Sequence, residues 1–210
     1  MKVDVRFKVL PRGTPIPADH AYPIFSAVSR ILPAIHGEED IGVFPISGIQ
    51  TGDRMVTITE DSRLAFRLDS NRVRNLFPLA GKSLGLGRTF LQIGVPTVHA
   101  LAPVATLRSR LVTIKGFFDP EEFVAAARRQ LDALEVSSDV VIKVSKPRTL
   151  EIHKCSVVGF EVFLDNLNAT DSIRVQEAGI GGRRKMGCGL FVPTNYVGPE
   201  VPLAVSGKGV

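Results

Sequence analysis

Apolar and charged residues alternate at the start of the chain. This period of two, from Lys2 to Leu10, predicts a β-strand with one buried face and one exposed face. From Ile24 to Ile35 the apolar residues instead recur at spacings of three and four, which predicts an amphipathic helix. Asp19 is the expected N-cap of that helix, and Pro33 is expected to kink or end it because proline has no amide hydrogen to donate.

The rest of the first half adds strands and one more helix. The pattern predicts a short helix over 70–77 and strands over 41–46, 55–59, 63–68, 90–93 and 97–101. Together with the first strand and helix, we interpret this order as β-α-β-β-α-β. That is the ferredoxin-like unit, an antiparallel four-stranded sheet with two helices on one face.

The second half repeats this pattern. After a strand over 106–115, a helix has a strong start signal, with Asp119 at the N-cap, Pro120 at the first helical position and Glu122 at the third. A helix over 171–178 and strands over 140–144, 149–153, 157–164 and 189–192 follow. The sequence therefore predicts an α+β protein of tandem ferredoxin-like (RRM-like) domains, over 1–102 and 103–193, with a tail over 194–210.

The amino-acid composition excludes several classes of protein. The 210 residues are 44% hydrophobic and 22% charged, which is typical of a folded globular protein. No apolar run is long enough for a membrane span, and the first residues do not resemble a secretory signal, so we expect a cytoplasmic protein without a membrane partner. The two cysteines lack metal-site spacing, so we expect no metal and no cofactor. A net charge of +5 by itself does not identify a polyanionic partner.

The segment 179–191 has the most specific composition. Five glycines, at 179, 181, 182, 187 and 189, surround three consecutive cations, Arg183, Arg184 and Lys185, between a predicted helix and a predicted strand. Glycine permits left-handed backbone, and exposed amides in such a loop can form an anion-binding nest. The cations would add charge for phosphate groups. The alternative interpretation is a glycine-rich hairpin with a solvated basic tip.

Three segments resemble one known family. The glycine-rich segment 179–191 closely resembles a motif of the CRISPR repeat-processing endoribonucleases of the RAMP superfamily. The segment 19–37 around the first helix and Arg110–Phe117 are similar to two other motifs of that family, and the three occur along the chain in the family's order. The resemblance implies a tandem ferredoxin-like fold and a metal-independent endoribonuclease that cuts CRISPR precursor RNA within its repeat. In this reaction a ribose 2′-hydroxyl attacks the adjacent phosphate, which leaves a 2′,3′-cyclic phosphate and a 5′-hydroxyl.

The resemblance also implies catalytic residues. His36, after the first helix, matches the family's catalytic histidine, whose pKa near neutrality suits acid or base chemistry. His20 matches a second position at the start of that helix and is the alternative catalytic histidine, although it could also contact RNA, cap the helix or pack against Tyr22. Ser29 occupies a place where some members carry a second catalytic side chain, and it would share a face with His36 on a straight helix. Gly37 and an acidic run stand where some members have a lysine. His99 and His153 are expected to be ordinary strand residues.

The expected partner is CRISPR repeat RNA, bound as a hairpin through its shape and its phosphates. Besides the glycine-rich loop, the candidate contacts are Arg30, Arg108, Arg110 and Lys115; Arg108 and Arg110 share one face of a strand. The family resemblance further implies that the protein stays bound to its product with other subunits of a surveillance complex. The alternative hypothesis is a non-catalytic subunit that binds crRNA in a CRISPR effector complex.

Overall fold

The chain folds as an α+β protein with antiparallel sheets. A computed structural model describes residues 1–51, 54–152 and 155–194, so His153 and the tail from 195 lie outside the described residues. Within these ranges the elements are β1 (Lys2–Leu10), β2 (Pro15–Pro17), α1 (Ala21–Ile31), β3 (Gly42–Val43), β4 (Ile49–Thr51), β5 (Met55–Thr57), β6 (Arg63–Asp69), β7 (Ser83–Leu86), β8 (Thr89–Ala100), β9 (Leu107–Val112), α2 (Pro120–Ala133), β10 (Val141–Ile152), β11 (Cys155–Asp165), α3 (Ala169–Ala178) and β12 (Val192–Pro193).

The first half contains a five-stranded sheet with β1 at its centre. The strands lie in the order β3-β6-β1-β8-β7, and the predicted bounds of β1 are confirmed. The alternating apolar residues of β1 and the stripe of α1 pack into one core, in which the rings of Phe7 and Phe66 meet edge to face at 5.9 Å. A small sheet, β2-β5-β4, lies beside it.

Several predicted elements of this half differ from the structure. His20, not Asp19, is the N-cap of α1, because the Asp19 carboxylate accepts a hydrogen bond from the Glu151 amide instead. The strand predicted over 41–46 is reduced to Gly42–Val43, and the helix over 70–77 is a series of 3-10 turns, Ser70–Leu79. Only two residues of those turns are buried apolar side chains, too few to stabilise a regular helix by packing.

The strands predicted over 90–93 and 97–101 form the single strand β8. Pro96 does not break it, because it lies beside a β-bulge in the pairing with β1, where a missing amide hydrogen is tolerated. The strands predicted over 140–144 and 149–153 likewise merge into β10. Its register shifts between Val144 and Pro147, so the proline again lies at a bulge.

The second half contains a four-stranded sheet in the order β10-β11-β9-β12. Its own core is formed by this sheet with α2 and α3 and includes the packed rings of Phe123 and Phe160. The start of α2 is confirmed, since an Asp119 side-chain oxygen accepts hydrogen bonds from the amides of Glu121 (2.9 Å) and Glu122 (3.1 Å). The last strand begins at Val192 and not at 189, where Gly189 has a φ of 68°.

The two halves pack directly against each other. A third apolar cluster joins Ala21 of α1 with Leu111 of β9, Leu150 of β10 and Cys188. Burial raises the pKa of the Cys188 thiol to about 11, so this side chain is a neutral packing group. Among the described residues, no helix has both the length and the apolar character needed to cross a lipid bilayer.

Candidate functional site

His36 lies where the first helix has ended. Helix α1 stops at Ile31, and Pro33 begins the 3-10 turn Pro33–His36, as expected for a proline that cannot continue the α-helical bonding. The His36 side chain is exposed, and its ring packs edge-on against Phe25, with the ring centroids 5.2 Å apart. This contact orients an imidazole that solvent and a ligand can reach.

Lys185 of the glycine-rich loop reaches the same place. Its Nζ atom donates a hydrogen bond of 2.7 Å to the backbone carbonyl oxygen of His36, across 149 residues of sequence. The loop forms a 3-10 turn, Arg184–Met186, between two left-handed residues, Arg183 (φ 62°) and Gly187 (φ 75°). The tertiary structure therefore brings together the predicted catalytic histidine and one of the three loop cations.

Two more cations, Arg184 of this turn and Lys2 of β1, interact with each other and with Asp40. Arg184 is half-buried, and burial lowers its pKa, partly offset by the negative charge of Asp40. Burial also lowers the pKa of Lys2, and Arg184 lowers it further, whereas Asp40 raises it. The Lys2 Nζ atom donates to the Asp40 carbonyl oxygen at 3.2 Å. Lys2, Arg184 and Lys185 thus place three cations at the His36 end of the loop, with Asp40, Asp69 and Glu177 as nearby counter-charges.

The acidic run after His36 is held by basic partners. Glu38 forms an ion pair with Arg72, on the 3-10 segment Ser70–Leu79, and Asp40 interacts with Lys2 and Arg184. These residues stand where some members of the resembled family have a lysine. In this structure the lysine next to His36 comes from the glycine-rich loop instead.

The glycine amides of the loop bond to the protein itself. All five glycine N–H groups donate to protein acceptors: Gly179 to Val175, Gly181 to the Gln130 side chain, Gly182 to Thr113, Gly187 to Arg184 and Gly189 to Leu111. Close packing requires a glycine at 187, since a Cβ atom there would lie 2.5 Å from the Cδ atom of Pro45. The glycine amides are therefore not the open anion-binding groups that the sequence suggested.

The His20 side chain is buried, whereas the His36 side chain is exposed to solvent. The side chain of His20 is 2% exposed, its Nδ1 atom lies 2.6 Å from the Pro17 carbonyl oxygen, and its Nε2 atom is buried without a hydrogen-bond partner. Burial lowers the pKa of His20, and Arg110 lowers it further, against the raising effect of the Pro17 and Ile46 carbonyls. His20 is therefore a neutral, buried residue at neutral pH, in the wall of the cleft described below.

Ser29 does not join His36. Its hydroxyl donates a hydrogen bond of 3.1 Å to the Ser26 carbonyl oxygen, a local bond that mid-helix serines commonly make. Because α1 ends at Ile31, before Pro33, the straight helix on which Ser29 and His36 would share a face is not formed. His99 is an exposed residue of β8, with its Nε2 atom 2.9 Å from the Thr97 hydroxyl, as expected for an ordinary strand residue.

The remaining predicted cations lie in three places. Arg108 and Arg110 line a cleft of about 690 Å³ that has walls from both halves of the chain. Arg108 and Arg148 bind the two carboxylate oxygens of Glu161, which is fully buried, and Arg110 is exposed beside them. Arg30 is exposed near the β7 hairpin, 3.4 Å from the Gly85 carbonyl oxygen, and Lys115 is exposed in the turn after β9.

Sequence reasoning missed several charged residues of the interior. Glu161 and Arg67 are buried at 0% and 1% exposure, and both interrupt strongly apolar strands. A charge among buried strand residues was the available signal, because such a charge requires a partner. In the described part of the chain, no group of three histidine, cysteine or acidic residues is placed to hold a metal ion.

Comparisons with known proteins agree on one family. A family model described as Cas6 Crispr matches residues 3–196. The CRISPR-associated endonuclease Cas6 of Myxococcus xanthus (strain DK1622) is 44% identical over 191 residues, which cover 91% of this chain and 81% of that protein. Among solved structures, "CRISPR associated protein Cas6" has a TM-score of 0.64 at 13% identity and covers 91% of this chain and 99% of its own.

A further solved structure, described as "An RAMP protein binding different RNA substrates", has a TM-score of 0.65 at 14% identity. It covers 91% of this chain and 98% of its own. At these low identities, the two structures are evidence for a shared fold and for nothing more.

Proposed function

The chain belongs to the Cas6 family of CRISPR proteins, and from this premise we propose that it is an endoribonuclease that cuts CRISPR precursor RNA within the repeat. The observation that carries the proposal is the hydrogen bond from Lys185 Nζ to the carbonyl oxygen of His36. It brings a cation of the glycine-rich loop to the residue that carries an exposed imidazole, and a proton-transfer group with a nearby cation can serve phosphodiester cleavage.

We propose a mechanism that uses the RNA's own 2′-hydroxyl as the nucleophile. His36 is the proposed proton-transfer group. It either takes the proton of the attacking 2′-hydroxyl while water protonates the leaving 5′-oxygen, or protonates that oxygen while water takes the 2′-hydroxyl proton. The products are a 2′,3′-cyclic phosphate and a 5′-hydroxyl. No metal ion is assigned a role. That part of the proposal rests on the family resemblance, and the experiment with EDTA below tests it.

Lys185 is the proposed electrostatic partner of His36. Negative charge grows on the non-bridging phosphate oxygens as the 2′-oxygen attacks, and a cation held near them stabilises this state. The ammonium group of Lys185 has three donors and gives one to the His36 carbonyl, so the others remain available to a phosphate. Arg184 and Lys2 add positive charge at this end of the loop.

The RNA body is proposed to bind the cations of the loop and the cleft. Arg183 is exposed at the loop, and Arg108 and Arg110 line the wall between the halves. Glu161 holds Arg108 and Arg148 in place, which preorganises them for phosphate contacts. We propose that the RNA enters as the repeat hairpin and that the cleaved product stays bound, with other CRISPR subunits as further partners.

We also propose that the two halves are ferredoxin-like domains, over 1–102 and 103–193. Two separate apolar cores, over Val3–Ile93 and Leu107–Phe191, support this division. Four strands of each half have the same arrangement: β3-β6-β1-β8 in the first half and β10-β11-β9-β12 in the second. In both, the first strand of the half along the chain, β1 or β9, lies between the third and the last of the four. Proteolytic or genetic separation near residue 102 would test whether each half folds alone.

The decisive experiment incubates the purified protein with its cognate repeat RNA in EDTA. A single cut that yields a 2′,3′-cyclic phosphate, and that a 2′-deoxy substitution at the scissile nucleotide abolishes, is the expected result. Cleavage that stops in EDTA and returns with a divalent metal would contradict the metal-independent mechanism. Binding without any cut, in EDTA and with added metal, would support instead a non-catalytic crRNA-binding subunit.

A further inference from the structure

Arg67 is the largest of the fully buried side chains in the described part of the chain, and it is charged. It lies in β6 directly opposite Asp4 in β1. The pair is bidentate, with Nε of Arg67 2.7 Å from one Asp4 carboxylate oxygen and Nη2 3.0 Å from the other. This geometry locks the orientation of the guanidinium, and the ring of Phe44, 5.2 Å away, covers it.

The remaining donor atom of Arg67 points into the other half of the chain. Its Nη1 atom donates to the carbonyl oxygens of Phe191, at 2.6 Å, and Gln176, at 3.0 Å. Gln176 lies on α3 just before the glycine-rich segment 179–191, and Phe191 is the last residue of that segment. One guanidinium from the first half therefore binds both ends of the segment that carries Arg183, Arg184 and Lys185.

The contacts around this segment explain why both ends need an anchor. The loop touches the first half through Gly187 against Pro45 and Leu190 against Gly42, and the Lys2 amide donates to the Glu177 side chain at 2.7 Å. His36 belongs to the first half and Lys185 to the second, so their separation depends on how the loop docks. A guanidinium that is bonded to both loop ends and fixed by Asp4 sets that docking.

We propose that Arg67, held by Asp4, is a positioning residue for the cleavage site, because it fixes the glycine-rich loop so that Lys185 lies against His36. This inference rests on the proposed function. Arg67 is buried and does not touch RNA, so its effect passes through Lys185. A displacement of a catalytic group by about 1 Å can lower a rate by about 10²-fold, so loss of this anchor is expected to slow the chemical step.

The test combines Arg67→Met with Lys185→Ala in a double-mutant cycle. Under single-turnover conditions, Arg67→Met is expected to slow cleavage by about 10²-fold while the Kd for uncut 2′-deoxy RNA stays close to the wild-type value. In the Lys185→Ala background, Arg67→Met should cause little further loss, because the cation that it positions is already absent. If the double variant is slowed by the product of the two single-variant factors, the two residues act independently and the proposal is overturned.

A structural measurement separates this inference from the proposed function. Hydrogen exchange of the Gly181, Gly182 and Gly189 amides should be faster in Arg67→Met, whether or not RNA is cut. Because Asp4 would be left buried without its partner, the Asp4→Leu/Arg67→Met variant, which removes both charges, is measured beside it. Unchanged loop exchange in this folded double variant would overturn the anchoring role, whereas absence of cleavage by the wild-type protein would overturn the proposed function.

The matched control is Arg128→Met. Arg128 also bonds two backbone carbonyls, those of Ser137 and Val140, but both lie within the second half and neither belongs to the loop. The Arg128→Met variant should have a lower free energy of unfolding, without faster hydrogen exchange of the amides at residues 181, 182 and 189. Equal loop exchange and equal rate loss in the two variants would mean that Arg67 acts through general stability, which contradicts the proposal.

Discussion

The ammonium group of Lys185 lies 2.7 Å from the backbone carbonyl oxygen of His36, which it meets from the opposite half of the chain. The contact is to the backbone and not to the imidazole, so it fixes the lysine near the histidine while the ring stays free to exchange protons with a ligand. It also supplies the cation that the acidic segment after His36 lacks.

His36→Ala should remove the proton-transfer group. We expect the single-turnover cleavage rate to fall by about 10²–10⁴-fold, because general acid–base catalysis typically contributes this much. Binding of uncut repeat RNA should change little, since an exposed imidazole contributes few phosphate contacts. His99→Ala, at an exposed histidine of β8, is the matched control and should cut at the wild-type rate. A wild-type rate in His36→Ala would rule out the assignment.

Lys185→Ala should slow the chemical step by about 10²-fold, the usual effect of losing one group that stabilises transition-state charge. Lys185→Arg keeps the charge but changes its shape, so it should recover part of the rate. The measurement is the single-turnover rate at saturating enzyme. Lys143→Ala is the control, because Lys143 of β10 pairs with Asp165 of β11. If the Kd rises and the rate is unchanged, Lys185 serves binding and not catalysis.

Gly187→Ala should destabilise the fold. Gly187 has a φ of 75°, where an L-residue is strained, and its new Cβ atom would meet Pro45 at 2.5 Å. We expect the free energy of unfolding to fall by about 1–3 kcal/mol, measured in urea. Gly182→Ala is the matched control, since Gly182 has no positive φ and a Cβ atom there meets nothing within 4 Å. Equal stability of the two variants would contradict this account.

His20 should make the protein less stable in mild acid. Its pKa is lowered in the folded state from an ordinary value of 6.5, so below that pH the unfolded chain binds a proton that the folded chain resists. The free energy of unfolding should therefore fall as the pH drops below about 6.5. His20→Gln should flatten this part of the pH profile, measured by urea unfolding between neutral pH and mild acid. A wild-type profile that is already flat would contradict the prediction.

Much of the local structure was predictable because its causes are local. The strand Lys2–Leu10 follows from a period of two, and the start of α2 follows from Asp119 and its neighbours, whose capping bonds span three residues. The N-cap of α1 was wrong for the opposite reason. Asp19 bonds to Glu151, 132 residues away, and no local pattern reports such a partner.

The candidate site shows the same division. The sequence alone indicated the family, the strand Lys2–Leu10, the start of α2 and two residues of the candidate site, His36 and Lys185, because motifs and periodicity reside in neighbouring positions. Tertiary packing decided that these two meet, that His20 is buried, that the glycine amides of the loop bond to the protein itself, and that Arg67 binds both ends of the loop. Each of these depends on the docking of two separately packed sheets, and contacts across more than a hundred residues leave no local signature.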